Sequence, residues 1–241
     1  MPRAIGVIPV RFGSTRFPGK PLALILGRPM VQWVFEGARQ SRLIERIIVA
    51  TDDERIRAAA QAFGAQAILT STECASGTDR VAEVAAGISA DWVINIQGDE
   101  PLLRGEMLDR LILGLEASGA PMASLMARIS EIDFISDPHI TKVIVDANSD
   151  ALYFSRSPIP CGVSDYFYQH IGIYAYRRDF LLHLRDLPPS RLERAERLEQ
   201  LRVLENGFRI RMVEISRPTL SVDTPADIIK VEQFLSRHMD D

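Results

Sequence analysis

The chain has 241 residues, 46% hydrophobic and 25% charged, ordinary values for a soluble globular protein long enough to bury a sizeable core. A formal net charge of -4 argues against a broad nucleic-acid-binding surface, so any anion site must be local. The two cysteines, Cys74 and Cys161, lie far apart without metal-ligand spacing, which predicts inert thiols in a reducing compartment, and no apolar run approaches the ~18 residues of a membrane span.

Residues 4–9 read as a buried strand, with one basic residue before it and neither signal-peptide nor anchor character. Pro29 is placed for the first position of a helix carrying Met30, Val31, Val34 and Phe35 at helical spacing. Residues 47–50 form the next strand, ending in Thr51-Asp52-Asp53, which caps a helix running to Phe63 and terminated by Gly64. A strand over 67–69, a helix over 78–88 and a strand over 92–96 follow. Strand-helix alternation of this kind predicts an α/β fold, a doubly wound and mostly parallel sheet. The second half breaks the rhythm. Segments 122–128, 140–145, 151–154 and 170–176 read as strands with short links, implying a smaller mixed-sheet lobe. Ser190 with Glu193 makes a capping box that opens a helix. On a continuous helix Ala195, Leu198, Leu201 and Leu204 form an apolar side, with Glu196, Glu199 and Gln200 largely opposite. A strand over 210–215 and a helix from Thr224-Pro225 complete a single domain, 1–241, without repeats or long linkers.

The densest chemical signal is the loop after the first strand, R-F-G-S-T-R-F-P-G-K-P-L over 11–22. Arg11, Arg16 and Lys20 can neutralise phosphate, Ser14 adds a hydroxyl, and the glycines let backbone N–H groups approach anionic oxygens. It is not a Walker loop: five residues separate Gly13 from Gly19, and Pro21 stands where a magnesium-binding Ser or Thr belongs. Nor does a dinucleotide fingerprint follow the strand, which argues against a nicotinamide oxidoreductase. Ligands of an open parallel sheet lie beyond its strand carboxyl ends, which groups this loop with the Asp52-Asp53 and Gln97-Gly98-Asp99-Glu100 turns. There Asp99 is the best candidate for a hard divalent cation, whereas Asp52, Asp53 and Glu100 read as cap or turn residues.

The basic loop resembles the N-terminal signature of the sugar-activating nucleotidyltransferases, in particular the cytidylyltransferases that make CMP-linked acidic sugars. Further segments resemble the 3-deoxy-manno-octulosonate (Kdo) cytidylyltransferases: A-T-D-D at 50–53, S-G-T-D-R at 76–80, N-I-Q-G-D-E-P-L at 95–102, A-L-Y-F-S-R-S-P-I-P at 151–160, H-I-G-I-Y-A-Y at 170–176, L-E-Q-L-R at 198–202 and V-D-T-P at 222–225. They run in order over nearly the whole chain.

The resemblance implies a Rossmann-like nucleotidyltransferase that joins CTP to Kdo with Mg2+, releasing pyrophosphate for lipopolysaccharide or capsule synthesis. It implies a cytoplasmic homodimer that engages neither nucleic acid nor membrane. Arg11, Ser14, Arg16, Lys20, Ser76, Gly77, Arg80 and Gln97 would bind the nucleotide, and Arg11, Lys20, Asp99 and Asp223 would serve catalysis. Asp99 and Asp223 would hold the metal, although Asp-Thr-Pro alone is an ordinary helix start. Ser76 or Thr78 reads equally as an N-cap, and Arg80 suits a pyrimidine edge or a phosphate. Arg156, His170, Tyr174, Glu199 and Gln200 would bind the sugar.

Some positions depart from the family's pattern. The stretch from Cys161 to Gln169 is short and has no Arg or Lys, where related enzymes commonly carry a longer basic loop; Val10 and Gln169 replace a small and a basic residue. A modified Kdo, such as the 8-amino sugar, is therefore an alternative acceptor. A non-catalytic nucleotide-binding domain is the rival from another class, opposed by the joint presence of Lys20, Asp99 and Asp223.

Overall fold

A computed structural model of the chain describes residues 3–13, 17–162, 165–216 and 218–238. It divides into two compact units, Met1–Asp109 with Thr219–Asp241, and Arg110–Pro218.

The first unit opens with β1 (Ala4–Val10), all seven residues of which are buried, as a strand covered on both faces requires. A short hairpin of β2 (Leu24–Ile25) and β3 (Arg28–Pro29) precedes α1 (Met30–Ala38). Pro29 is thus the N-cap of α1, one place earlier than expected, because it still pairs with Leu24 and keeps an extended ψ of 140°. Then come β4 (Ile44–Thr51), α2 (Glu54–Ala62), β5 (Gln66–Leu69), α3 (Gly77–Ala86) and β6 (Trp92–Asn95). Asp53 caps α2 through the Arg55 N–H, and Gly64 ends the turn at φ 86°. These strands pair in parallel in the order β6-β1-β4-β5. The chain leaves β1 towards β4 and returns to β6 on the other side, so the switch in strand order falls beside β1.

The unit boundary falls within α4 (Gly105–Ser118), a helix the sequence reading passed over although Leu108, Leu111, Ile112 and Leu115 are buried at helical spacing. The second unit holds β7 (Met122–Ile129), β8 (Lys142–Val145), β9 (Ala151–Ser155), β10 (Phe167–Arg177), α5 (Arg178–Asp186), α6 (Arg191–Glu196), α7 (Leu201–Glu205) and β11 (Ile210–Ile215). Here β10 lies antiparallel to β7 and β8, β8 antiparallel to β9, and β11 parallel to β7, the expected mixed sheet.

One expected helix is corrected. The capping box of Ser190 and Glu193 opens α6, but Arg197 enters the left-handed region at φ 57° and ends it. A single helix to Leu204 would have buried Ala195 and exposed Gln200; instead Ala195 is exposed and Gln200 buried. The chain returns to the first unit with α8 (Pro225–His238), whose first residue is the anticipated proline. None of the described helices is long and apolar enough to cross a membrane.

Candidate active site

The switch point beside β1 opens on a cavity of about 280 Å³ that gathers Arg11, Lys20, Ser76, Gly77, Arg80, Gln97, Asp99 and Asp223, every described residue expected at the nucleotide and metal positions. Ser14 and Arg16 lie outside the described residues. The loop is closed at its base by the Gly19 N–H, which donates to the Phe12 carbonyl at 3.0 Å, and Gly19 takes φ 71°. Across the cavity, a Cβ on Gly98 would lie 2.3 Å from Val10 Cγ1, so only glycine lets the turn after β6 close onto β1.

That turn delivers Asp99, whose carbonyl accepts the Val222 N–H at 2.9 Å and so draws Asp223 to the same place. Lys20 Nζ donates to Asp99 Oδ2 at 2.6 Å and to the Val222 carbonyl at 2.9 Å, and lies 3.7 Å from Asp223 Oδ1. Two carboxylates from distant segments therefore converge on one cationic position. Their hard oxygens and partial exposure, 28% and 43%, fit a hard divalent cation. Among the described residues no third His, Cys, Asp or Glu completes a cluster with them. Beneath them Glu100 is buried with Oε2 unpaired, and burial, reinforced by Asp99, pushes its carboxyl up to about 8.

The helix N-terminus facing the cavity is built by Ser76, which accepts the Asp79 N–H at 3.1 Å while Asp79 accepts the Ser76 N–H at 2.9 Å. Arg80 follows and is almost fully buried. Its Nη2 donates to Asp52 Oδ2 at 2.7 Å, and its Nη1 donates to Thr70 Oγ1 and, at 3.4 Å, to the Ser71 carbonyl. Asp52, read from sequence as a cap or turn residue, is thus the counter-ion of Arg80, while Asp53 alone caps α2. Cys74 also lines the cavity, its thiol pushed up to about 11 by burial and Glu83, in keeping with an inert side chain.

In the second unit the structure connects His170, Gln200 and Tyr174. The His170 Nε2 lies 2.9 Å from Ser124 Oγ, and Gln200 Nε2 lies 3.5 Å from Nδ1. Ser124 Oγ–H can donate to the Ile173 carbonyl at 2.9 Å, so a consistent chain has Gln200 donating to Nδ1 and Nε2–H donating to Ser124. Burial holds the imidazole neutral, pulling it down to about 3. The Tyr174 hydroxyl reaches Gln200 Oε1 at 3.4 Å, and burial raises its phenol above the ordinary range. Glu199 lies close enough to Tyr174 to raise it further. Arg156 donates from Nη1 to the Pro138 carbonyl at 3.0 Å. The sequence reading missed Ser124, whose only signal is a lone hydroxyl inside the apolar run of β7, and Lys142, a fully buried lysine.

A switch-point cavity that combines cations, a helix N-terminus and paired hard carboxylates suits a nucleotide polyphosphate, the kind of ligand that nucleotidyltransferases take. Residues 5–213 match the cytidylyltransferase family. The chain is 50% identical to the 3-deoxy-manno-octulosonate cytidylyltransferase of Geobacter metallireducens, covering 96% of this chain and 97% of that one. It is 43% identical to the Bdellovibrio bacteriovorus enzyme of the same name, with 97% and 98% covered. The structure is similar to that of a CMP-2-keto-3-deoxy-manno-octonic acid synthetase solved in complex with CTP, with a TM-score of 0.93 and 45% identity over 98% of this chain and 99% of that one. The chain belongs to the 3-deoxy-manno-octulosonate cytidylyltransferase family.

Proposed function

We propose that the chain transfers CMP from CTP to the anomeric hydroxyl of Kdo: the hydroxyl oxygen bonds to the α-phosphorus, the bond to the bridging oxygen breaks, pyrophosphate leaves, and the hydroxyl proton passes to solvent. The observation that carries this reading is the convergence of Lys20, Asp99 and Asp223 in a cavity that also receives Arg11 and the α3 N-terminus.

Positioning and charge neutralisation do the work, without a covalent protein intermediate. Arg11 and Lys20 hold the leaving phosphates, joined by Ser14 and Arg16 of the same loop. Ser76, Gly77, Arg80 and Gln97 hold the nucleoside end. Arg156, His170, Tyr174, Glu199 and Gln200 orient the sugar. Asp99 and Asp223 would hold Mg2+, which when bound supplies neutralisation of α-phosphate charge and a more acidic acceptor hydroxyl. The family match runs across both compact units, supporting their reading as one nucleotidyltransferase domain. We place the protein in the cytoplasm as a homodimer, supplying lipopolysaccharide or capsule synthesis without nucleic-acid or membrane partners.

Pyrophosphate release from CTP plus Kdo, with and without Mg2+, tests the proposal. Sugar-dependent release that requires the metal is the expected result; CTP binding without release would make the chain a non-catalytic nucleotide-binding protein.

A further inference from the structure

Lys142, on β8, has no exposed surface, and burial lowers its affinity for a proton. A buried ammonium is costly unless its donors are satisfied. All three are spent on main-chain carbonyls: Asp137 at 3.0 Å, Ile140 at 2.7 Å and Arg156. From the other side Glu196 accepts the Arg156 N–H at 3.0 Å and the Ser155 hydroxyl at 2.8 Å. Arg156 is therefore held at both peptide groups, its N–H by a carboxylate and its carbonyl by an ammonium. Its guanidinium donates to Pro138, in the same turn whose Asp137 and Ile140 carbonyls Lys142 holds. Strand register ties this frame to the histidine of the candidate sugar site. Lys142 stands opposite both Ser155 and Gln169, and the His170 N–H donates to the Thr141 carbonyl at 2.8 Å.

Holding a surface turn together does not require a charge in the interior, since Asx side chains or water satisfy turn carbonyls. A charge-assisted grip on both peptide groups of one arginine does something narrower: it fixes where that side chain starts and in which direction it leaves. The geometry points to Lys142 and Glu196 as a pair of positioning residues that aim Arg156 at the carboxylate of the acidic sugar. This rests on the assignment of Arg156 to the sugar made above. Neither residue touches substrate.

The test measures KM for Kdo and for CTP in wild type, Lys142→Met, Lys142→Arg, Glu196→Gln, Arg156→Ala and the Lys142→Met/Arg156→Ala double variant, with circular dichroism as the check on folding. Misplacing a binding group by about an ångström can cost up to roughly a hundredfold, so Lys142→Met should raise the Kdo KM about tenfold or more. The CTP KM should stay within about twofold, Lys142→Arg should restore part of the loss, and the double variant should be no worse than Arg156→Ala alone. If Lys142→Met does not fold, Glu196→Gln decides by the same criteria. Losses that multiply in the double variant, equal losses for CTP and Kdo, or a normal Kdo KM in the folded single variants would overturn the positioning role while leaving Arg156 in the sugar site. An unchanged Kdo KM in Arg156→Ala would remove Arg156 from the sugar, and the positioning role with it.

Discussion

His170 sets a pH dependence whose sign and size follow from its surroundings. Burial pulls the imidazole from 6.5 to about 3, while both ring nitrogens lie within reach of neutral partners, Ser124 and Gln200. The folded state therefore resists a proton that the unfolded chain accepts. The stabilisation is full above 6.5 and is lost as pH falls towards 3. One proton per pH unit is about 1.4 kcal/mol, so lowering the pH from 7 to 5 should cost about 2 kcal/mol through this residue alone. Glu100 acts in the opposite direction. Its carboxyl, raised from 4.5 to about 8, contributes stability that is fully present below 4.5 and lost as pH rises through 8. A raw wild-type profile superposes the two slopes, so the informative quantity is the difference between wild type and His170→Gln in denaturant titrations at pH 7 and pH 5. The constant cost of the substitution cancels, and wild type should lose about 2 kcal/mol more than the variant. Parallel profiles, or an imidazole resonance that titrates near pH 6.5 in the folded protein, would refute the reasoning.

Asp99→Asn and Asp223→Asn should each abolish turnover while circular dichroism remains native, since each removes a hard anionic ligand at almost constant volume; near-native pyrophosphate release would exclude that carboxylate from the mechanism. Lys20→Ala should weaken CTP far more than CMP-Kdo in calorimetric titrations, by about 1.5 to 3 kcal/mol for a lost charged hydrogen bond, and equal losses would move Lys20 away from the leaving phosphates. Gly98→Ala should cost about 1 to 3 kcal/mol in Tm-derived stability and raise the KM for CTP, because the new methyl would sit 2.3 Å from Val10 Cγ1; a wild-type Tm would show that the turn can yield. Specificity constants for Kdo and its 8-amino analogue should favour Kdo, and a preference for the amino sugar would reassign the acceptor.

The features legible in the sequence were those fixed by nearby residues. The caps at Ser190 and in the Thr51-Asp52-Asp53 turn, the Gly64 terminator and the helix start at Pro225 all depend on groups within a few positions, and the structure has each of them; of Ser76 and Thr78, which read equally as a cap, it uses Ser76. The misreadings share a different cause. Helical periodicity carried the helix from Ser190 through Leu204, but the chain breaks at the left-handed Arg197, and the carboxylate of Glu196 just before it bonds to Ser155 and Arg156, about forty positions away. Asp52 looked like a cap because its neighbour is one, and its actual partner lies 28 residues on. Lys142 heads a K-V-I-V strand where alternation alone would not bury a lysine; the three carbonyls that accept it come together only in the folded chain.

The charges of the cavity explain why its residues cannot be assigned one by one. Among the described residues, Arg11, Lys20 and Arg80 are the cations, and the carboxylates close by are Asp99, Asp223 and Asp52. Glu100, raised to about 8, is mostly protonated at neutral pH and adds little to the balance. The described residues of the site are therefore close to neutral in sum, although the substrate proposed for it is a highly charged triphosphate. Arg80, itself almost fully buried, is the least suited of the three to a phosphate: its charge is already matched by the partly exposed Asp52 at 2.7 Å, which leaves directional hydrogen bonding as its main use. That favours the pyrimidine edge between the two uses open to it. Lys20 is different, because its partners Asp99 and Asp223 are themselves the groups suited to a divalent cation. Its ammonium and such a cation answer the same two carboxylates, so loss of Lys20 and loss of either aspartate should alter metal dependence as well as rate.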